Sequence, residues 1–307
     1  MIGPRLAIVA MLASVAIYGA TFPLSRHATQ NGLTPHDITV LRFGTAGLLL
    51  LPYFLRQGWR DCAGLGWRRG LLLACMSGVP MVLLMNTGLR LAPAAHGASI
   101  QPGMVTIVGA VGTIVLFGAV PTRIAVIGIA ITIAGLACIG IAGTTSGSPT
   151  MLQGDLLFVV AGSLWGLYPL MLQRWRVAPM VGTAVVAVLS LAYLPIYVAF
   201  MEPQILAADP ALVVFQALLQ GVFNIVLALW LWGTAVRVLG AATAQRFPPL
   251  IPVVGTLSAI PILGEWPGPL QTLGVVLIVS GLLLAAVGSL ISRRPAAEET
   301  RTKPWRA

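Results

Sequence analysis

Ten apolar runs divide the chain, at approximately 5–25, 36–56, 69–90, 94–117, 122–143, 152–173, 179–200, 211–236, 240–263 and 267–291. Each holds about the 20 residues that a helix needs to cross roughly 30 Å of hydrocarbon. The runs are continuously apolar rather than alternating, which favours helices over barrel strands. Glycine and proline recur inside them, as membrane helices tolerate. The first run, after Met1-Ile2-Gly3-Pro4-Arg5, has aromatics near its end and nine runs behind it, so it reads as a retained span rather than a cleaved signal. The pattern predicts an all-α integral membrane protein with ten transmembrane helices.

The pattern also repeats. Adding 147 takes Tyr18-Gly19 to Trp165-Gly166, Arg90 to Arg237 and Pro102 to Pro249. Gly128 and Gly135 recur as Gly274 and Gly281 at an offset of 146. The chain thus divides into a first five-helix repeat over 1–143, a linker over 144–151, a second repeat over 152–291 and a basic tail over 292–307. Five is odd, so the second copy enters the membrane with the opposite orientation. Inverted repeats of this kind build alternating-access carriers.

Charge sets the orientation. With the N-terminus inside, the inner side holds Arg5, Arg56, Arg60, Arg68, Arg69, Arg123, Arg174, Arg176, Arg237, Arg293 and Arg294, and the tail adds Arg301, Lys303 and Arg306. The outer side holds only Arg26 and Arg90. That asymmetry places both termini in the cytoplasm and the chain in the inner (cytoplasmic) membrane. Only 8% of the 307 residues are charged and 58% are hydrophobic, with a net charge of +10 and a mean hydropathy of +0.94. A soluble globule carries about a quarter charged residues, so the surface faces lipid. The arginines fall in short breaks rather than a patch, which argues against a nucleic-acid partner. The lone lysine, Lys303, precedes a proline and excludes a Walker A loop. Three scattered cysteines make no disulfide framework.

Polar groups at membrane depth are costly, so they are the candidate site residues. Asn224 and Gln220 lie one turn apart in the middle of the eighth span, where an interhelical hydrogen bond is the alternative role. Tyr18, Trp165 and Tyr168 sit within spans rather than at their ends and suit a cavity wall. Gln245 and Arg246 precede Phe247-Pro248-Pro249, where the prolines break the helix, and freed carbonyls beside an arginine suit a substrate carboxylate and amine. Arg42 also lies within a span and is expected to snorkel to the interface. Asn86, His96 and Gln101 cluster by sequence near the ends of the third and fourth spans, and His96 is a candidate for proton coupling. Asp37, Asp155 and Glu265 all fall near span ends, so no carboxylate relay is expected. The glycines at seven-residue spacing mark a helix-packing face or a dimer seam. His27, His36 and Asp37 lack zinc-helix spacing, and no catalytic residue, metal or cofactor is expected.

Together these features resemble the drug/metabolite transporter superfamily in its ten-helix EamA branch. The elements are Tyr18-Gly19-Ala20-Thr21-Phe22-Pro23 and Trp165-Gly166-Leu167-Tyr168-Pro169 in the first span of each half, Pro35 and Leu41-Arg42-Phe43 in the second span, Pro102 and Pro248-Pro249 with Pro252 in the fourth and ninth, and Leu263-Gly264-Glu265. Gly118 departs from the pattern, standing where the first half would carry the acid matching Glu265. The resemblance implies a secondary transporter, not an enzyme, that exports small metabolites, amino acids foremost and neutral or aromatic ones by the aromatic and amide candidates. Purines, hydrophobic drugs and a lipid-handling role are the alternatives. The partners expected are a small-molecule substrate and the bilayer, with the chain a monomer or a homodimer.

Overall fold

The computed structural model describes residues 3–145, 149–244 and 246–292. The described residues form α1 (Pro4–Gln30), α2 (Pro35–Gly58), α3 (Trp67–Leu91, bent at Gly78), α4 (Ala94–Phe117), α5 (Arg123–Thr145), α6 (Pro149–Arg174), α7 (Pro179–Phe200), α8 (Pro210–Leu239), α9 (Leu250–Leu263) and α10 (Pro269–Ser292). Nine of these are long and apolar enough to cross a membrane, and α9 is a shorter tenth. Prolines Pro4, Pro35, Pro179, Pro210 and Pro269 open helices, where the missing N–H has no partner to lose. Thr34 caps α2 reciprocally with Asp37.

The ninth apolar run is not one helix. A single turn at Ala241–Ala244 stops, and α9 begins only at Leu250. The cause is Pro248-Pro249, which supplies no backbone donors, whereas the lone Pro102 of the first half leaves α4 unbroken. At 14 residues, α9 spans about 21 Å. Both α4 and α9 end on a left-handed glycine, Gly118 at φ 65° and Gly264 at φ 68°. Those two caps correct the repeat register. Gly118 matches Gly264, and the residue matching Glu265 is Ala119.

Helix packing follows the repeat. Helix α1 packs on α8 and α9, and its image α6 packs on α3 and α4. Helix α2 packs on α7 and α8, while α7 packs on α2 and α3. A Cβ on Gly19 would meet Ile251 and Val254 of α9, and one on Gly166 would meet Val105 and Val108 of α4, the same contact in the other half. Each half therefore completes the other across a shared interface.

The tightest pair is α5 with α10. A Cβ on Gly128 would lie 2.6 Å from the Gly281 carbonyl, one on Gly135 2.7 Å from the Gly274 carbonyl, and one on Gly288 2.4 Å from the Ala125 nitrogen. The seven-residue glycine face is thus a seam between two helices of one chain, where the lack of side chains lets backbones touch. It is not free to serve as a dimer seam.

Alternating helix direction gives the bundle two ends. The Glu265 end gathers the α1–α2, α3–α4, α7–α8 and α9–α10 turns. The Arg123 end gathers the α2–α3, α4–α5, α6–α7 and α8–α9 turns.

Candidate substrate site

Three helices meet in a polar seam inside the bundle. Helix α8 is widened to a π-helix over Leu218–Leu227, a geometry frequent at functional sites. It carries buried Gln216, Gln220 and Asn224 at four-residue spacing toward α1 and α2. Gln216 donates to the Leu24 carbonyl at 2.9 Å, Gln220 to Ser25 Oγ at 2.7 Å and Asn224 to Thr21 Oγ1 at 2.7 Å. These donations turn two amide oxygens toward α2. Arg42 donates there, Nη1 to Gln220 Oε1 at 3.2 Å and Nη2 to Asn224 Oδ1 at 2.8 Å.

Arg42 therefore does not snorkel. Its guanidinium turns inward because two α8 amides, whose nitrogens donate to hydroxyls on α1, present their oxygens to it. It has no ion-pair partner among the described residues, and its Nε is sequestered without a hydrogen bond. Tyr18 is half-buried and within electrostatic reach of both Arg42 and Tyr168. The Tyr168 hydroxyl lies beside Gly182 and Thr183 of α7.

A cavity of about 810 Å³ runs between α4, α5, α6 and α10 at the Arg123 end. Its lining runs from Phe117, Val120 and Thr122 in the α4–α5 turn to Pro102 and Trp165 within their helices and Ile251 at the start of α9. From Phe117 to Pro102 is about 22 Å of helix, so the cavity passes the middle of the bundle. Its walls are apolar, with Thr106, Thr113, Thr122 and Gln173 as polar exceptions. Tyr18 is not among the lining residues, whereas Trp165 is. Tyr168 is one turn away on the same helix, outside the lining.

The opposite end is bridged by an ion pair. Arg26 donates through Nε to Glu265 and through Nη1 to the Leu89 and Ala92 carbonyls. The other Glu265 oxygen accepts from the Ala94 N–H at 3.0 Å. One ion pair thereby joins α1, the α3–α4 turn and the start of the α9–α10 loop. Nearby, His96 Nδ1 lies 2.8 Å from Asp155 Oδ1, linking α4 to α6. Both residues are buried, and His96 Nε2 and Asp155 Oδ2 lack a hydrogen-bond partner among the described residues. Asp37 accepts from Tyr197 and from the Gln204 N–H, joining α2 to α7.

The remaining candidates scatter. Asn86 faces Thr39 at 3.5 Å and Gln101 faces Met81 Sδ at 3.5 Å, so the trio with His96 shares depth without forming a cluster. Arg246 is exposed at the Arg123 end, and Gln245 lies outside the described residues. His36 stacks on Tyr193 and bonds its hydroxyl, apart from any metal-ligand group among the described residues. Sequence reasoning missed the inward turn of Arg42, the Asp155 partner of His96 and the Arg26–Glu265 tie. The sequence signal for the first is the run of three amides on α8, Gln216, Gln220 and Asn224 at four-residue spacing.

Comparison with known proteins agrees with this architecture. The chain matches the EamA-like transporter family twice, over residues 5–141 and 152–287. It is 24% identical over 289 residues to the uncharacterized inner membrane transporter YedA of Escherichia coli (strain K12), covering 92% of this chain and 91% of that protein. YedA of Escherichia coli O157:H7 matches equally. A solved crystal structure shares the fold with a TM-score of 0.59 at 22% identity, covering 94% of this chain and 98% of that one. The chain is thus a multi-pass membrane transporter rather than an enzyme, and it belongs to the EamA-like transporter family.

Proposed function

We propose that this protein is a secondary carrier that exports small metabolites, neutral or aromatic amino acids foremost, by alternating access between its two inverted halves. The observation that carries the reading is the asymmetry of the bundle. One end is tied by Arg26, Glu265 and the α4 backbone, while the other opens into a cavity about 810 Å³ in volume. That volume is in the range of roughly 300–1,000 Å³ usual for small-molecule sites. Arginines concentrate in the turns of the Arg123 end, which supports a cytoplasmic position for that end and both termini in an inner membrane. The cavity then receives substrate from inside, the direction export requires. Its uncharged lining favours hydrophobic drugs as the second reading.

Thiol labelling tests the reading. Ala110 lines the cavity, so Ala110→Cys, with Cys62, Cys75 and Cys138 replaced by serine, should react with a membrane-impermeant maleimide in inside-out vesicles. It should react at least about tenfold more slowly in right-side-out vesicles. Faster reaction from the right-side-out face would reverse the assigned orientation and with it the direction of transport.

A further inference from the structure

The cavity and the proposed transport leave one buried charge unexplained. Arg42 holds its guanidinium inside the bundle against two neutral amides, with no ion pair among the described residues. A cation at membrane depth is expensive, and such residues are found paired or facing a polar path. Neutral amides satisfy hydrogen bonds but leave the charge uncompensated. Nη1 and Nη2 are occupied by weaker acceptors, while Nε is free. The Nε and Nη2 edge is one of the two forks by which arginine grips a carboxylate.

Helix α1 stands between this edge and the cavity. Ile251 lines the cavity, and its carbonyl lies against Gly19 of α1. Tyr18, next in the chain, is half-buried and in electrostatic reach of Arg42. Helix α1 thus touches the cavity wall on one side and the amides that hold Arg42 on the other, and it is the helix that the Arg26–Glu265 tie holds. Arg246 is exposed at the Arg123 end and has no such enclosure.

Resting on the carrier reading above, we infer that Arg42 is the anchor for a substrate carboxylate, gripping it through Nε and Nη2, with Gln220 and Asn224 holding the guanidinium when the site is empty. The substrate class is therefore a small monocarboxylate with an apolar body. The hydrophobic-drug reading lacks an acid and gives Arg42 nothing to bind.

Binding to purified protein tests this without requiring transport. The probes are tryptophan, leucine and 4-methylpentanoate, each against its primary amide, measured by calorimetry in detergent. The wild type should bind each acid on the order of tenfold to a hundredfold more tightly than its amide. Arg42→Gln should erase that ratio while leaving amide affinity within about twofold, which a merely structural role would not do. Arg42→Lys keeps the charge without the planar fork and should retain part of the ratio, and it carries the test where Arg42→Gln does not fold. An acid preference unchanged in both variants, or absent from the wild type, overturns the inference. The carrier reading fails separately. Acids that bind at Arg42 yet show no counterflow would remove the carrier and leave the anchor, whereas counterflow of uncharged solutes alone would do the reverse.

Discussion

Replacing Gly281 by leucine is expected to cost about 3 kcal/mol of stability or more, at the top of the range for overpacking. A Cβ there would lie 2.4 Å from Thr132 Oγ1, 2.5 Å from the Gly128 carbonyl and 2.6 Å from the Thr132 nitrogen. Two of those atoms are backbone and cannot move aside without separating α5 from α10. In lipid no hydrophobic force pushes the helices back together, so lost contact is not recovered by squeezing out water. Gly140 on α5 is the matched control, because nothing lies within 4 Å of its added Cβ. Thermal unfolding followed by size-exclusion chromatography should show a large loss for Gly281→Leu and little change for Gly140→Leu. Equal losses would contradict the seam.

The second large effect concerns the tied end. Glu265→Gln removes the charge that Arg26 and the Ala94 N–H both use. Charge-assisted hydrogen bonds contribute about 1.5–3 kcal/mol, and the partial exposure of this pair, 16% and 21%, favours the lower figure. The population open at the Glu265 end should rise on the order of tenfold. Hydrogen exchange reads it directly. Backbone amides over 89–96 and 263–268 should exchange about tenfold faster, while those of α5 and α10 stay protected. Unchanged exchange in the Glu265→Gln protein would show that the tie does not hold this end closed. His96 and Asp155 link α4 to α6 at the same end and remain in this variant, so opening should be partial rather than complete.

The parts legible in the sequence were those that depend on neighbours in the chain. Hydrophobic run length gave the spans, the offset between Tyr18-Gly19 and Trp165-Gly166 gave the inverted halves, and Pro248-Pro249 gave the break before α9. Glycine spacing identified a packing face, though not that α5 and α10 of one chain share it. What stayed hidden were partners far apart in sequence. Arg26 and Glu265 are separated by 239 residues, Arg42 and Asn224 by 182, and His96 and Asp155 by 59. Periodicity reports how deep a residue sits and which face it occupies, but not what stands opposite. Arg42 shows the consequence. Its depth allowed either snorkelling or inward pairing, and only the position of the α8 amides decides between them. Gly118 shows the same limit in register. An offset of 147 serves the first span of each half, but the caps show 146 by the end of α4, which moves the match for Glu265 to Ala119.

Counterflow in proteoliposomes tests the central claim most directly. Vesicles holding the purified chain are preloaded with unlabelled tryptophan or leucine at millimolar concentration and diluted into trace labelled solute. A carrier predicts label accumulating above the external concentration, peaking and then decaying as the internal pool runs down, with protein-free vesicles flat. Label that merely equilibrates, at a rate independent of the internal solute, would mean a passive pore and would contradict alternating access.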